Sequence, residues 1–306
     1  MQGEQLMICT DGLVRTKVEN AIKRLQSFEP PEGYFVAFSG GKDSQCIYHL
    51  CQMAGVKFDA HYRVTSVDPP ELVQFIKHQY PDVIFDLPRY DDGSRITMWN
   101  LIPRKGMPPI RTHRYCCEEL KESNGEGRVI VTGVRWAESA RRKASHDVAS
   151  IKGKPKTAEK MAQELGADYR FNKSGVLVLN DDNDPARRMV EHCYRTQKVM
   201  VNPIVDWETE DVWTFLNEIA KVPHCCLYDQ GFKRLGCIGC PMTVNAAADF
   251  ERWPKYKELY LRTFARMIKA REEAGKDNLH PCDWSTPEKV MAWWLQGANR
   301  RRNEHA

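Results

Sequence analysis

The chain has 306 residues, 42% of them hydrophobic and 28% charged, enough for a sizeable core and too polar for a membrane protein. No stretch approaches the roughly 18–20 consecutive apolar residues of a spanning helix, and residues 1–13 have neither a basic start nor an apolar run, so a cytoplasmic location is expected. The formal charge, 45 Lys and Arg against 41 Asp and Glu, is only +4 and does not by itself demand a nucleic-acid partner. Its distribution is uneven: Arg135–Lys160 holds eight Lys and Arg against three Asp and Glu, either a docking place for a polyanion or a solvated basic loop. Eleven cysteines without a secretion signal argue for metal or redox chemistry over a disulfide framework.

Taken in chain order, residues 1–30 read as a helix, with Val18, Ala21, Ile22 and Leu25 on one face and a break at Pro30-Pro31. Tyr34-Phe35-Val36-Ala37-Phe38 is a continuous apolar run, as a strand buried on both faces reads. Helical spacing of Cys46, Ile47, Leu50 and Cys51 follows. Phe58–Arg63 reads as a strand, Pro70–Gln79 as a helix opened by proline, Val83–Phe85 as a strand, and Arg128–Val134 as another buried strand. This alternation predicts an α/β fold, a doubly wound and mainly parallel sheet. Residues 150–200 are expected to form a β-containing insertion around Val176–Leu179. The acidic Glu208-Thr209-Glu210 introduces a helix over Asp211–Ile219. Trp253–Ala274 and Pro287–Leu295 read as helices of a C-terminal extension, with Arg300–Arg302 as a disordered tail. The expected division is 1–32, an N-terminal helix; 33–245, the α/β domain; and 246–306, the extension.

Ser39-Gly40-Gly41-Lys42-Asp43-Ser44 lies between a buried strand and a helix, where a phosphate cradle belongs. Glycines let the backbone approach an anion, first-turn amides point at it, and Ser39, Ser44 and Lys42 add hydroxyls and a charge. The spacing is not that of G-x-x-x-x-G-K-[ST]. The plain alternative is a glycine turn that only starts a helix. Gly133 ends a later strand at the edge where such sheets bind ligands, and Asp68, after the second strand, either meets ribose or magnesium or forms a helix-entry turn.

Cys237-x-x-Cys240 has metal-ligand spacing and Cys116-Cys117 precedes a helix start. Four thiolates from two segments suit zinc or an iron–sulfur cluster, and spacing does not choose between them. Because adjacent cysteines strain to serve one centre, Cys193 and Cys226 are alternates to Cys117.

The loop resembles the SGGKDS signature of the PP-loop ATP pyrophosphatase superfamily, whose fold is the adenine nucleotide alpha hydrolase-like one. Within it the chain is most similar to the phosphoadenosine phosphosulfate (PAPS) reductase family, iron–sulfur branch. The similarity extends to Arg114-Tyr115-Cys116-Cys117 with Lys121, to Gly133-Val134-Arg135-Trp136 through Arg141-Arg142, to Asn202-Pro203-Ile204-Val205-Asp206-Trp207, and to Tyr228-x-x-Gly231-x-x-Arg234-x-Gly236-Cys237. The resemblance implies an enzyme of sulfur metabolism that holds an adenine nucleotide (ATP, with Mg2+, or PAPS or adenylyl sulfate) at Ser39–Ser44. Lys42, Asp43 and Arg135 are the expected catalytic residues, and Arg135, Arg141 and Arg142, which follow the strand ending at Gly133, are expected to reach the same anion as a guanidinium clamp. The resemblance also implies a [4Fe–4S] cluster on Cys116, Cys117, Cys237 and Cys240, with Lys121 linking cluster and anion.

The match lacks the family's Glu-Cys-Gly-(Leu/Ile)-His segment, whose cysteine is the sulfur nucleophile; Cys282, in His280-Pro281-Cys282, is the late thiol here, a nucleophile or a packing residue beside Trp284. Expected partners are therefore a thioredoxin-like reductant for a reductase, or a sulfur donor such as a cysteine desulfurase and a DNA or RNA acceptor for an ATP-dependent sulfur transferase. The Arg135–Lys160 stretch, the tail, and Trp284, Trp293 and Trp294 suit a nucleic acid, although tryptophans at helical spacing are equally core. A non-catalytic nucleotide or redox sensor is the third expectation.

Overall fold

The computed structural model describes residues 2–122, 125–153, 155–243, 246–279 and 282–299. Helix α1 (Gln2–Ser27) buries Val14, Val18, Ala21 and Leu25, a single apolar stripe at helical spacing. The chain then alternates through β1 (Tyr34–Ala37), α2 (Lys42–Ala54), β2 (Phe58–Arg63), α3 (Pro70–Gln79) and β3 (Ile84–Asp86). Two helices follow, α4 (Met98–Lys105) and the short α5 (Tyr115–Cys117), which runs into a π-helical turn, Glu118–Glu122. After β4 (Val129–Val131) come α6 (Ala140–Ser145), β5 (Ala149–Lys152), α7 (Pro155–Leu165), β6 (Tyr169–Phe171), β7 (Leu177–Leu179), α8 (Asp184–Cys193) and β8 (Lys198–Val201). The last elements are α9 (Thr209–Thr214), α10 (Ala246–Arg252), α11 (Pro254–Glu273) and α12 (Pro287–Asn299). The helix expected over Asp211–Ile219 is α9 joined to a second π-helical turn, Phe215–Ile219; Val212, Phe215 and Leu216 are buried all the same. The tail Arg300–Arg302 lies outside the described residues.

Eight strands form one sheet in the order β3-β2-β1-β4-β8-β5-β7-β6, and the fold is a doubly wound α/β one. β1 is parallel to β2 and β4, and β4 is parallel to β8. All three residues of β4 are buried, as a parallel strand covered by helices on both faces must be. The sheet changes direction at β5, which is antiparallel to both β8 and β7, and β6 is antiparallel to β7. The 150–200 region thus supplies an antiparallel annex, while β8, within the same range, belongs to the parallel core.

The chain divides into two compact units, residues 1–62, 74–84 and 125–233, and residues 63–73, 85–124 and 234–306. In the first, Asn202 staples the point where the sheet changes direction. Its amide donates to the Asp147 carbonyl at 2.7 Å, its own backbone N–H donates to Val148 at 2.8 Å, and its side-chain oxygen accepts from the Thr132 hydroxyl. Arg24 of α1 grips the turn after β8 in the same unit, with two bonds to Asp206 at 2.8 and 3.0 Å and one to the Pro203 carbonyl at 2.9 Å. The second unit is built on α11, which packs on α4 and α12. Trp294 is buried there, donating to the Pro109 carbonyl at 2.7 Å, and Trp284 is buried against Trp293 with ring centroids 5.0 Å apart. Two of the three C-terminal tryptophans are therefore core residues. Among the described residues no helix is long and apolar enough to cross a membrane.

Asn202 is fully buried, so Asn202→Ala strands a buried carbonyl and a hydroxyl without partners. The expected cost is about 1–3 kcal/mol, read as a lower midpoint in urea unfolding.

Candidate functional site

In the first unit β1 ends in the sheet and the chain turns at Gly40, whose φ of +70° is a conformation that only glycine adopts without strain. Gly41 starts α2 with no side-chain cap, so the first-turn amides of a 13-residue helix are directed at the loop. The hydroxyls converge there as well. Ser44 Oγ accepts from the Ser39 amide at 3.1 Å, lies 3.2 Å from Ser39 Oγ, and donates to the Gly41 carbonyl at 2.8 Å. Gln45 closes the turn from below, its side-chain amide donating to the Gly40 carbonyl at 3.2 Å. Lys42 and Ser44 are buried, while Ser39, Gly41 and Asp43 retain accessible surface.

Asp43 is the hinge of the charges. Its carboxylate pairs with Lys42 Nζ at 3.1 Å through one oxygen and with Arg135 Nε at 2.7 Å through the other. Arg135 is 2% exposed, and a second nitrogen of its guanidinium donates to the Trp207 carbonyl at 3.2 Å. Much of its bonding capacity therefore fixes Asp43 and the turn after β8. Gly133 makes this approach possible, since a Cβ there would stand 3.0 Å from the Asp43 backbone. Arg142 pairs with Glu138 at 3.0 Å, and Arg141 is exposed on the six-residue α6. Cys193, at the end of α8, is buried with its thiol 3.9 Å from Met161 Sδ of α7, burial pushes its pKa up to about 11, and Cys226 is exposed.

Sequence reading did not give Tyr228 a role at this loop. Its hydroxyl accepts from the Lys42 backbone N–H at 2.9 Å, a contact 186 positions apart in the chain, for which no local pattern gives a signal.

In the second unit the four candidate cysteines are all partly accessible. Cys116, Cys237 and Cys240 lie close enough for their charges to interact. Cys116 donates to Cys117, and this bond, with the Arg114 guanidinium, lowers Cys117 below the ordinary thiol value. Cys237 meets the Thr65 hydroxyl at 3.7 Å. Lys121 is raised well above its ordinary value, chiefly by Cys237 and next, against desolvation, by Asp68; burial pushes Cys237 up while Lys121 pulls it down. Asp68 is buried and accepts from the Thr65 amide at 3.0 Å. The structure thus places Asp68 with Lys121 and Cys237. Cys282 is half-buried.

The Cys237–Cys240 turn is held on three sides. The Ile238 amide donates to Val67 at 2.8 Å, the Gly239 amide to Asp249 at 3.0 Å, and Tyr260 donates to the Ile238 carbonyl at 3.2 Å. Among the described residues no three His, Cys, Asp or Glu side chains form a group that could hold a single metal ion. The four candidate donors are all thiols, carried by two chain segments beside Lys121, a donor type that zinc and iron–sulfur clusters both accept.

Gly133→Ala is expected to lower stability by about 1–3 kcal/mol, because its neighbour is backbone. Gly236→Ala, with open space around the added carbon, is the control and should change the urea midpoint little.

The phosphoadenosine phosphosulfate reductase domain family model matches residues 33–243. An uncharacterised protein of Methanocaldococcus jannaschii is 24% identical over 248 residues, 79% of this chain and 48% of that protein. The adenosine 5'-phosphosulfate reductase of Allochromatium vinosum is 34% identical over 73 residues, 21% of this chain and 28% of the enzyme. That of Neisseria meningitidis is 43% identical over 54 residues, 17% of this chain and 22% of the enzyme. The chain spans about half the length, or less, of these curated relatives.

Proposed function

The chain belongs to the phosphoadenosine phosphosulfate reductase domain family, and from that premise we propose that it is an enzyme of sulfur metabolism acting on the activated group of an adenine nucleotide held at Ser39–Ser44. The observation that carries this reading is the loop itself: two hydroxyls, a helix N-terminus and a buried lysine converge on one accessible spot beside a restrained carboxylate. Phosphate oxygens accept from the first-turn amides and the Ser39 hydroxyl, and Lys42 exchanges part of its bond to Asp43 for the ligand's charge. Arg135 keeps Asp43 from following Lys42, so the carboxylate remains as the acceptor for a proton or for Mg2+ brought with the nucleotide. Cys116, Cys117, Cys237 and Cys240 would hold a [4Fe–4S] cluster. Such a cluster supplies a redox-active, electrostatically tunable centre, and Lys121 is the residue that neutralises its thiolates.

The reductase-like reading takes PAPS or adenylyl sulfate; the ATP reading takes an adenylated acceptor and a sulfur donor. Protein purified without oxygen and incubated separately with ATP, and with PAPS or adenylyl sulfate plus a thioredoxin system, separates them. Sulfite from the sulfonucleotide is the result expected of a reductase, and pyrophosphate with AMP and no sulfite that of an adenylating sulfur transferase. Lys42→Ala should reduce whichever rate is found by about 10²-fold. An undiminished rate, or no turnover and no nucleotide binding, contradicts the reading. The cluster is tested apart from activity: the wild type should carry a full iron and sulfide complement that Cys237→Ser and Cys240→Ser lose. Iron-free or zinc-loaded wild-type protein contradicts the assignment.

A further inference from the structure

Helix α2 begins without a side-chain cap from its own N-terminal residues, yet the Lys42 amide is satisfied. The acceptor is the Tyr228 hydroxyl at 2.9 Å, lying against Gly41, where an added Cβ would stand 3.4 Å from it. A neutral phenol oxygen therefore sits at a backbone donor that a phosphate oxygen would use.

The tyrosine is delivered there by an ordered segment. Its ring stands edge-on to Trp213, the centroids 5.0 Å apart, and Trp213 in turn meets His224 at 5.2 Å. Backbone bonds from Tyr228 to Cys225 at 3.0 Å, Gly231 to Tyr228 at 3.1 Å and Phe232 to Leu227 at 3.1 Å close the turn. Buried Cys225 and Leu227 anchor it.

An N–H makes one good hydrogen bond, and bonds to anionic oxygens are shorter and roughly twice as strong as neutral ones. We infer that Tyr228 is a positioning residue of the phosphate loop, whose hydroxyl holds the Lys42 amide in line in the ligand-free protein and is displaced from it by the incoming polyphosphate. The inference rests on the nucleotide reading of Ser39–Ser44 and adds a cost to binding and a segment, residues 223–233, that responds to it.

The test titrates inorganic pyrophosphate and ATP into the full chain by calorimetry, comparing wild type with Tyr228→Phe, which keeps the ring against Trp213. Removal of the competing hydroxyl should tighten both ligands by about two- to tenfold, the factor to which about 0.5–1.5 kcal/mol of hydrogen bond converts. A purely structural tyrosine would leave affinity unchanged or weaken it, and either result overturns the inference while leaving the nucleotide reading intact. Failure of wild type and variant alike to bind either ligand overturns both. Hydrogen exchange on the wild type supplies a readout independent of the variant. With saturating pyrophosphate, amides of residues 223–233 should lose protection while those at the start of α2 gain it; added protection in 223–233 contradicts displacement.

Discussion

The close approach of two loop ends at the edge of the sheet sets the chemistry of the first unit. The end of β4 and the β1–α2 turn meet where Gly133 has no side chain, and that contact lets the Arg135 guanidinium reach Asp43 from a buried position. A charge pair so withdrawn from water is costly to break, because an unpaired buried ion has no substitute solvation. The pair therefore fixes where Asp43 sits, and through Asp43 where Lys42 sits. What makes β4 rigid enough for this is ordinary: three consecutive buried side chains between two parallel neighbours, and Asn202 tying the next turn to β5.

The second unit solves a different problem, holding several thiols near one another. Two chain segments bring them, and the backbone of one is clamped by Val67, Asp249 and Tyr260. Thiols brought together repel once ionised, and Lys121 with Arg114 supplies the compensating positive charge. The adjacent Cys116 and Cys117 end α5, which passes directly into a π-helical turn, a widened geometry that recurs at functional sites.

Much of this was legible in the sequence, and the reasons differ by element. Buried parallel strands announce themselves as apolar runs, so β1 and β2 could be read closely, and the proline at the start of α3 marked its first residue. The phosphate loop was legible because its glycines, serines and lysine are contiguous. In the annex β7 was legible as the apolar run at Val176–Leu179, whereas β6, with three residues, was not, since that is too few for alternation to show. The partners of Arg135 were also hidden: sequence suggested an anion clamp, whereas its guanidinium binds Asp43, 92 positions away. Tyr228 is the same kind of case. Local patterns carry helices, strands and turns, and long-range hydrogen bonds leave no local trace.

The most direct measurement is a nuclear magnetic resonance titration of protein labelled with nitrogen-15 at glycine and lysine, adding pyrophosphate and following the amides. If Ser39–Ser44 is the phosphate cradle, the Gly40, Gly41 and Lys42 resonances shift together and saturate with one binding constant, and Lys42→Ala abolishes the saturation. Resonances that stay in place through the titration, or shifts confined to glycines and lysines elsewhere in the chain, would contradict the account at its centre.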